Sequence, residues 1–152
     1  MKRSLCSSSG SSSSENDENK VKKKAKMMNK KLATEAMLYS PEGVFVAPND
    51  EVYMADIQNH RVRKILKDGT IVTIAGTGEE GFSGDDDPAI NAQLSHPCGV
   101  FVSLTNEVYI SDFGNYRIRK ILRNGNIVTI VGTGVKGYSG DGGPAINAQY
   151  QL

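Results

Sequence analysis

An internal repeat constrains this chain more than any other feature. Set against itself at an offset of 56 residues, the sequence matches from Pro41 onward without a gap, so that Pro41 returns as Pro97. Gly43-Val44-Phe45-Val46 recurs as Gly99-Val100-Phe101-Val102, and Glu51-Val52-Tyr53 as Glu107-Val108-Tyr109. Asp56, Asn59, Arg61 and Arg63-Lys64-Ile65-Leu66 reappear as Asp112, Asn115, Arg117 and Arg119-Lys120-Ile121-Leu122. Pro88-Ala89-Ile90-Asn91-Ala92-Gln93 closes the first copy and Pro144-Ala145-Ile146-Asn147-Ala148-Gln149 the second. Roughly 60% of aligned positions are identical, in the period range of stacked repeat architectures.

Each period holds four short runs rich in Val, Ile, Tyr and Thr, bounded by turn residues. In the first copy they are residues 43–47, 52–55, 62–67 and 70–75, joined at Pro48-Asn49-Asp50, Gln58-Asn59-His60 and Asp68-Gly69. Asp68-Gly69, with Asn124-Gly125 as its twin, predicts a type I′ hairpin with positive φ at both central positions. Four hairpin-linked strands make an antiparallel meander that cannot bury its faces alone. Radial stacking of such sheets is a propeller, so the expected fold is all-β: two four-stranded antiparallel blades, a partial propeller. The long segment after the fourth strand, residues 76–94, predicts a short helix from Ala89, with Asp87 as N-cap and Pro88 at its first position. Gly143 stands in the place of that cap in the second copy. This insert is expected to close against the neighbouring blade.

Composition divides the chain at about residue 40. The first forty residues carry nine Lys/Arg against four Asp/Glu, the remainder nine against thirteen, and fifteen of sixteen glycines follow the divide. Residues 1–38 are therefore expected to be a disordered Ser/Lys-rich arm with a short helix over 27–38, followed by a first repeat over 39–95 and a second over 96–152. The Lys20 to Lys26 cluster resembles a nuclear localisation signal. Two cysteines are too few for a secreted disulfide framework, and neither a secretory signal nor an apolar run of about 18 residues is present. The expected setting is intracellular, cytoplasmic or nuclear, without a membrane segment.

The string from Gly43-Val44-Phe45-Val46 through Val52-Tyr53-Met54-Ala55-Asp56 to Asn59-His60-Arg61-Val62-Arg63-Lys64-Ile65 resembles the NHL repeat. The insert, with Gly76-Thr77-Gly78, Gly81-Phe82-Ser83-Gly84-Asp85 and Pro88-Ala89, is similar to the longer-period form found in teneurin-like and many bacterial NHL proteins. The resemblance covers residues 41–152. Val62 and Ile118 stand where the family signature has Leu, Tyr116 replaces its His, and two blades stand where propellers close with four to eight.

Residue chemistry points to binding rather than catalysis. Asp56, Asn59 and Arg61, with Asp112, Asn115 and Arg117, surround one tight turn in each copy, and their recurrence favours a structural role. His60 and Tyr116 occupy equivalent positions yet differ, so they are the first candidates for partner contact, with Arg61 and Arg117 beside them. The repeated Arg/Lys strand, Arg61 to Lys67 and Arg117 to Arg123, raises RNA as an alternative ligand, although the repeat region is net acidic. Asp85-Asp86-Asp87 lacks the ligand spacing of a calcium loop, and His96 with Cys98 cannot complete a tetrahedral metal site. No nucleophile–base pair stands out, and no catalytic residue, metal or cofactor is assigned. The sequence thus leads to a non-enzymatic protein-interaction module with a protein partner. The alternatives are a fragment of a larger propeller without independent function, and self-assembly of two, three or four copies into a closed ring.

Overall fold

The computed structural model describes residues 31–150. They form two four-stranded antiparallel sheets, each a simple meander. The first contains β1 (Pro41–Val46), β2 (Val52–Asp56), β3 (Arg61–Ile65) and β4 (Ile71–Ala75). The second contains β5 (Pro97–Val102), β6 (Val108–Asp112), β7 (Arg117–Ile121) and β8 (Ile127–Val131). Strand bounds agree with the apolar runs to within two residues, because those runs are rich in β-branched and aromatic residues and are bounded by turn residues.

The core lies between the sheets. Tyr53, Val62 and Ala75 of the first blade meet Val102, Val108, Ile110, Ile121 and Ile127 of the second, with Ala89, Ala92 and Leu94 of the insert closing one side. Fully buried Ile110 and Ile127 each contribute about 1.5–3 kcal/mol through removal of apolar surface from water. Phe45, packed against this core, meets the edge of the exposed Phe101 ring, centroids 5.0 Å apart. The first strands approach closely enough that a Cβ on Gly43, whose φ is +54°, would stand 2.4 Å from the carbonyl oxygen of Cys98.

Two turn expectations are corrected. Among the Asp68-Gly69 and Asn124-Gly125 pairs only the glycines have positive φ, so neither is a type I′ turn. Instead Gly69 N–H donates to Leu66 O and Leu66 N–H to Thr70 O, a tight turn ending in one left-handed glycine; Gly125, Leu122 and Asn126 repeat the pattern. The Asp68 carboxylate receives the Thr70 amide and hydroxyl, which stabilises the alternative geometry. The insert helix is a single 3₁₀ turn, Ala89–Asn91, entered through Pro88 without a side-chain cap. The second copy repeats it at Ala145–Asn147 after Pro144, so Gly143 caps nothing. Asp87 uses its backbone elsewhere: its carbonyl accepts Ile127 N–H, while Asp86 N–H donates to Ile127 O and Ala89 N–H to Gly125 O. The insert thus crosses from its own blade, where Gly76 and Thr77 amides bond Ala89 and Ala92 carbonyls, to the start of β8 in the next.

The repeat also begins earlier than Pro41. Lys31 O accepts Ile71 N–H, Ala33 N–H donates to Gly69 O, and Leu32 bridges Thr70. Moved on by one period, these are the bonds of Asp87, Ala89 and Pro88 with Ile127, Gly125 and Asn126. Ala33–Glu35 is a 3₁₀ turn like Ala89–Asn91, and Ala36 beyond it is extended. The α-helix expected over 27–38 is therefore absent from residues 31–38, where two backbone bonds to blade 1 outcompete a short isolated helix. Residues 27–30, the arm before them and the Lys20 to Lys26 cluster lie outside the described residues.

Candidate functional site

One end of each blade is organised by a buried carboxylate. Asp56 closes β2 and is fully buried; its oxygens accept both bonds from Asn59 Nδ2, at 2.9 Å each, and Oδ1 accepts the Tyr39 amide at 2.8 Å. Asp112 repeats this with Asn115 Nδ2 and the Ser95 amide, both at 2.8 Å. Each carboxylate ties the β2–β3 or β6–β7 corner to the segment entering β1 or β5. Burial pushes the Asp112 carboxyl up to about 6, against the opposing pull of Asn115, the Ser95 amide, Arg119 and Arg117.

The arginine of this motif sits two residues later than the pattern implied. Arg63 Nη1 lies 3.7 Å from Asp56 and Arg119 Nη1 3.9 Å from Asp112. Arg61 and Arg117 share a strand face with Arg63 and Arg119 but sit at the corner itself, and their Nη2 atoms donate to the carbonyls of Thr77 and Thr133 at 2.7 and 2.8 Å. Three further members of the repeated basic stripe also have partners within the fold. Lys64 pairs with Glu51 at 2.7 Å, Lys120 with Glu107 at 3.1 Å, and Arg123 donates to Thr105 O. These cations tie the fold together, while Lys67 is exposed.

His60 and Tyr116 are the left-handed ends of the two corners, with φ of 50° and 51°. His60 packs edge to face on His96, centroids 4.7 Å apart, and its Nδ1 accepts the His96 amide at 3.2 Å. Tyr116 packs on Tyr150 instead. Burial holds the His60 imidazole below its ordinary value, neighbouring His96 adds to this, and Glu80 acts in the opposite sense.

The nearby polar trio is not arranged for catalysis. Glu80 Oε1 and Ser95 Oγ both face the Nδ1 atom of His96, at 3.4 and 3.2 Å, and bond each other at 2.9 Å. A relay needs nucleophile and carboxylate on opposite ring nitrogens. Among the described residues no group of three or more His, Cys, Asp or Glu is placed to hold a metal ion. Of the aspartate triplet, Asp85 is the partner of Arg119 at 2.6 Å.

A concave site of about 470 Å³ opens beside the corners, lined by Ser40, Glu42, Ile57, Gln58, His96, Cys98 and Phe113. Neither His60 nor Tyr116 lines it; His60 reaches it only through His96. Its wall has a pattern that attention to motifs missed. Every lining residue occupies a position where the repeats differ: Ser40 against His96, Glu42 against Cys98, Ile57 against Phe113, Gln58 against Gly114. The mismatches in the self-comparison were the available signal.

No family model matches the sequence. The chain is 34% identical over 94 residues to Protein SUPPRESSOR OF QUENCHING 1, chloroplastic, of Arabidopsis thaliana, covering 61% of this chain and 9% of that one. It is 33% identical over 107 residues to human Teneurin-4, covering 62% and 4%. Against NHL repeat-containing protein 2 of Gallus gallus it is 28% identical over 119 residues, covering 78% and 16%. The chain thus spans under a fifth of the length of these relatives. Among solved structures, a Bacteroides thetaiotaomicron structural genomics protein of unknown function superimposes with a TM-score of 0.63 at 25% identity, over 81% of this chain and 32% of that one. An auxiliary nutrient binding protein of the same organism shares the fold, with a TM-score of 0.57 at 18% identity, over 71% and 30%. The 56-residue period, the two meanders, the corner carboxylates and these relatives together make the described residues similar to NHL-repeat proteins of the long-period, teneurin-like type.

Proposed function

We propose that this chain is a non-catalytic binding module whose blades present their corner end to a protein partner. The observation that carries the reading is the division of labour between repeated and unrepeated residues. Asp56, Asn59 and Arg63 and their twins hold the corners, whereas the concave site between the blades is built wholly from positions the repeats do not share. A scaffold needs the same residues in every blade; a specific surface needs different ones. Phe113 supplies an exposed aromatic, and Glu42 and His96 supply polar groups beside it, the mixture that anchors protein interfaces. Among the described residues no helix is long and apolar enough to cross a membrane.

Affinity capture with the full chain tests this. A partner retained by the native chain should be lost with Phe113→Ser or Gln58→Arg and kept with Leu104→Ser, which changes the opposite end of the second blade. Capture of nothing, or equal loss with all three variants, would remove the concave site from consideration.

A further inference from the structure

The joint between the two blades is a template whose two halves recur, unjoined to each other, on the outer faces of the described residues. At its centre Arg119 is fully buried. Its guanidinium donates to Asp85 Oδ1 at 2.6 Å, to Ser83 O at 2.9 Å and to Gln93 O at 3.0 Å, all from the insert of the first blade, and lies 5.0 Å from the centre of the Phe82 ring. One period earlier, Arg63 holds the same place on the open flank of blade 1. Among the described residues its Nε is buried without a hydrogen-bond partner, and its ion-pair contact is Asp56 at 3.7 Å. One period later, the second insert offers the same cradle without an arginine. Tyr138, in the place of Phe82, is 88% exposed, and Asp141, in the place of Asp85, is also exposed. Ser139 and Gln149, whose counterparts feed carbonyls to Arg119, bond each other's backbone instead.

The apolar surfaces tell the same story. Val102 is 5% exposed at the internal joint, but its twin Val46 on the open flank is 61% exposed, and Val44 beside it is also exposed. Phe101, on the outer face of blade 2, is 55% exposed, while its twin Phe45 packs against the core between the blades. The outer face of blade 2 is therefore the twin of the face that receives blade 2, and the flank of blade 1 is the twin of the face that docks.

We infer that a second copy of this chain docks head to tail, its insert residues Tyr138 to Gln149 closing over Arg63 and its Phe101 face covering Val44 and Val46. The segment Lys31 to Leu38 occupies the rim position that the incoming insert needs, bonded to Gly69 and Ile71 as Asp87 and Ala89 are to Ile127 and Gly125. The incoming Gly143 and Ala145 stand one period beyond Asp87 and Ala89 and so reproduce the bonds of Lys31 and Ala33. Exchange conserves the backbone bonds at the rim and adds the arginine clamp and the valine burial. None of residues 31–38 is buried, so little apolar burial opposes their release.

This interface joins two different surfaces, and that gives the test a distinctive form. The full chain, followed by light scattering across a wide concentration range, should rise in mass to whole multiples of the monomer. Val46→Asp and Tyr138→Asp alter exposed positions at opposite faces; each alone should be monomeric, with the melting curve the native chain shows at dilutions where it too is monomeric. Mixed, they should form a one-to-one dimer, because each retains the face the other lacks. The Ala33 amide should exchange hydrogen faster in the assembled native chain than in monomeric Val46→Asp, since docking releases it. A native chain that stays monomeric, variants that self-associate unchanged, or a mixture that remains two monomers would each overturn the inference.

Discussion

At the scale of single residues, two titrating groups on the corner end oppose each other. The folded state holds His60 below its ordinary value of 6.5, so the unfolded chain binds the extra proton first. Its contribution to stability is complete above about pH 6.5 and is lost as pH falls towards the folded value. Asp112, raised from 3.8 to about 6, has the reverse sign: its contribution is complete below its unfolded value and is lost as pH rises through about 6. His60→Asn, with a residue that tolerates the left-handed conformation, should reduce the acid-side loss in thermal melts, and the His60 ring should titrate below 6.5 by NMR. Asp112→Ala leaves the Ser95 amide and the Asn115 side chain without their acceptor in a buried place. A loss of about 1–3 kcal/mol is expected from urea denaturation at neutral pH, together with disappearance of the decline between pH 4 and 6. The aspartates, the asparagines and their shared turn were legible in the sequence because they recur. The arginine that faces them was not, since Arg61 and Arg63 recur equally and share one face of the strand, so that periodicity cannot choose between them.

At the scale of the element, the sheet was readable and the connections were less so. Four apolar runs and three turn signals per period leave little freedom in a meander. Asp-Gly and Asn-Gly, however, serve both a type I′ turn and a turn ending in one left-handed glycine; loop length and the Asp68 contacts with Thr70 select the second. The insert helix shrank to one 3₁₀ turn because its neighbours demand backbone bonds that an α-helix would consume. The start of the repeat at Lys31 was hidden by side-chain divergence: only Ala33, Ala36 and Leu38 match Ala89, Ala92 and Leu94 before Pro41, although the backbone bonds coincide. Two glycine substitutions separate local from inter-blade effects. Gly125→Ala meets open space and should cost only the left-handed penalty of about 1–2 kcal/mol. Gly43→Ala drives a methyl into the Cys98 carbonyl and should cost more, with loss of the Phe45–Phe101 packing signature in near-ultraviolet circular dichroism.

At the scale of the whole molecule, stacking was legible in the sequence, since a single meander has no way to bury two apolar faces. The concave site was not, because it forms only when two corners and two strand starts from different blades come together, and its residues share no motif. The insert that leaves blade 1 and bonds to the start of β8 has a temporal side. Ala89 cannot complete its bond to Gly125 until the chain some 36 residues further on has been made. At translation speeds of about 5–20 residues per second, the end of blade 1 waits roughly 2–7 s for its receiving strand. During that interval the flank of a finished neighbouring molecule competes with the unborn second blade for the same segment.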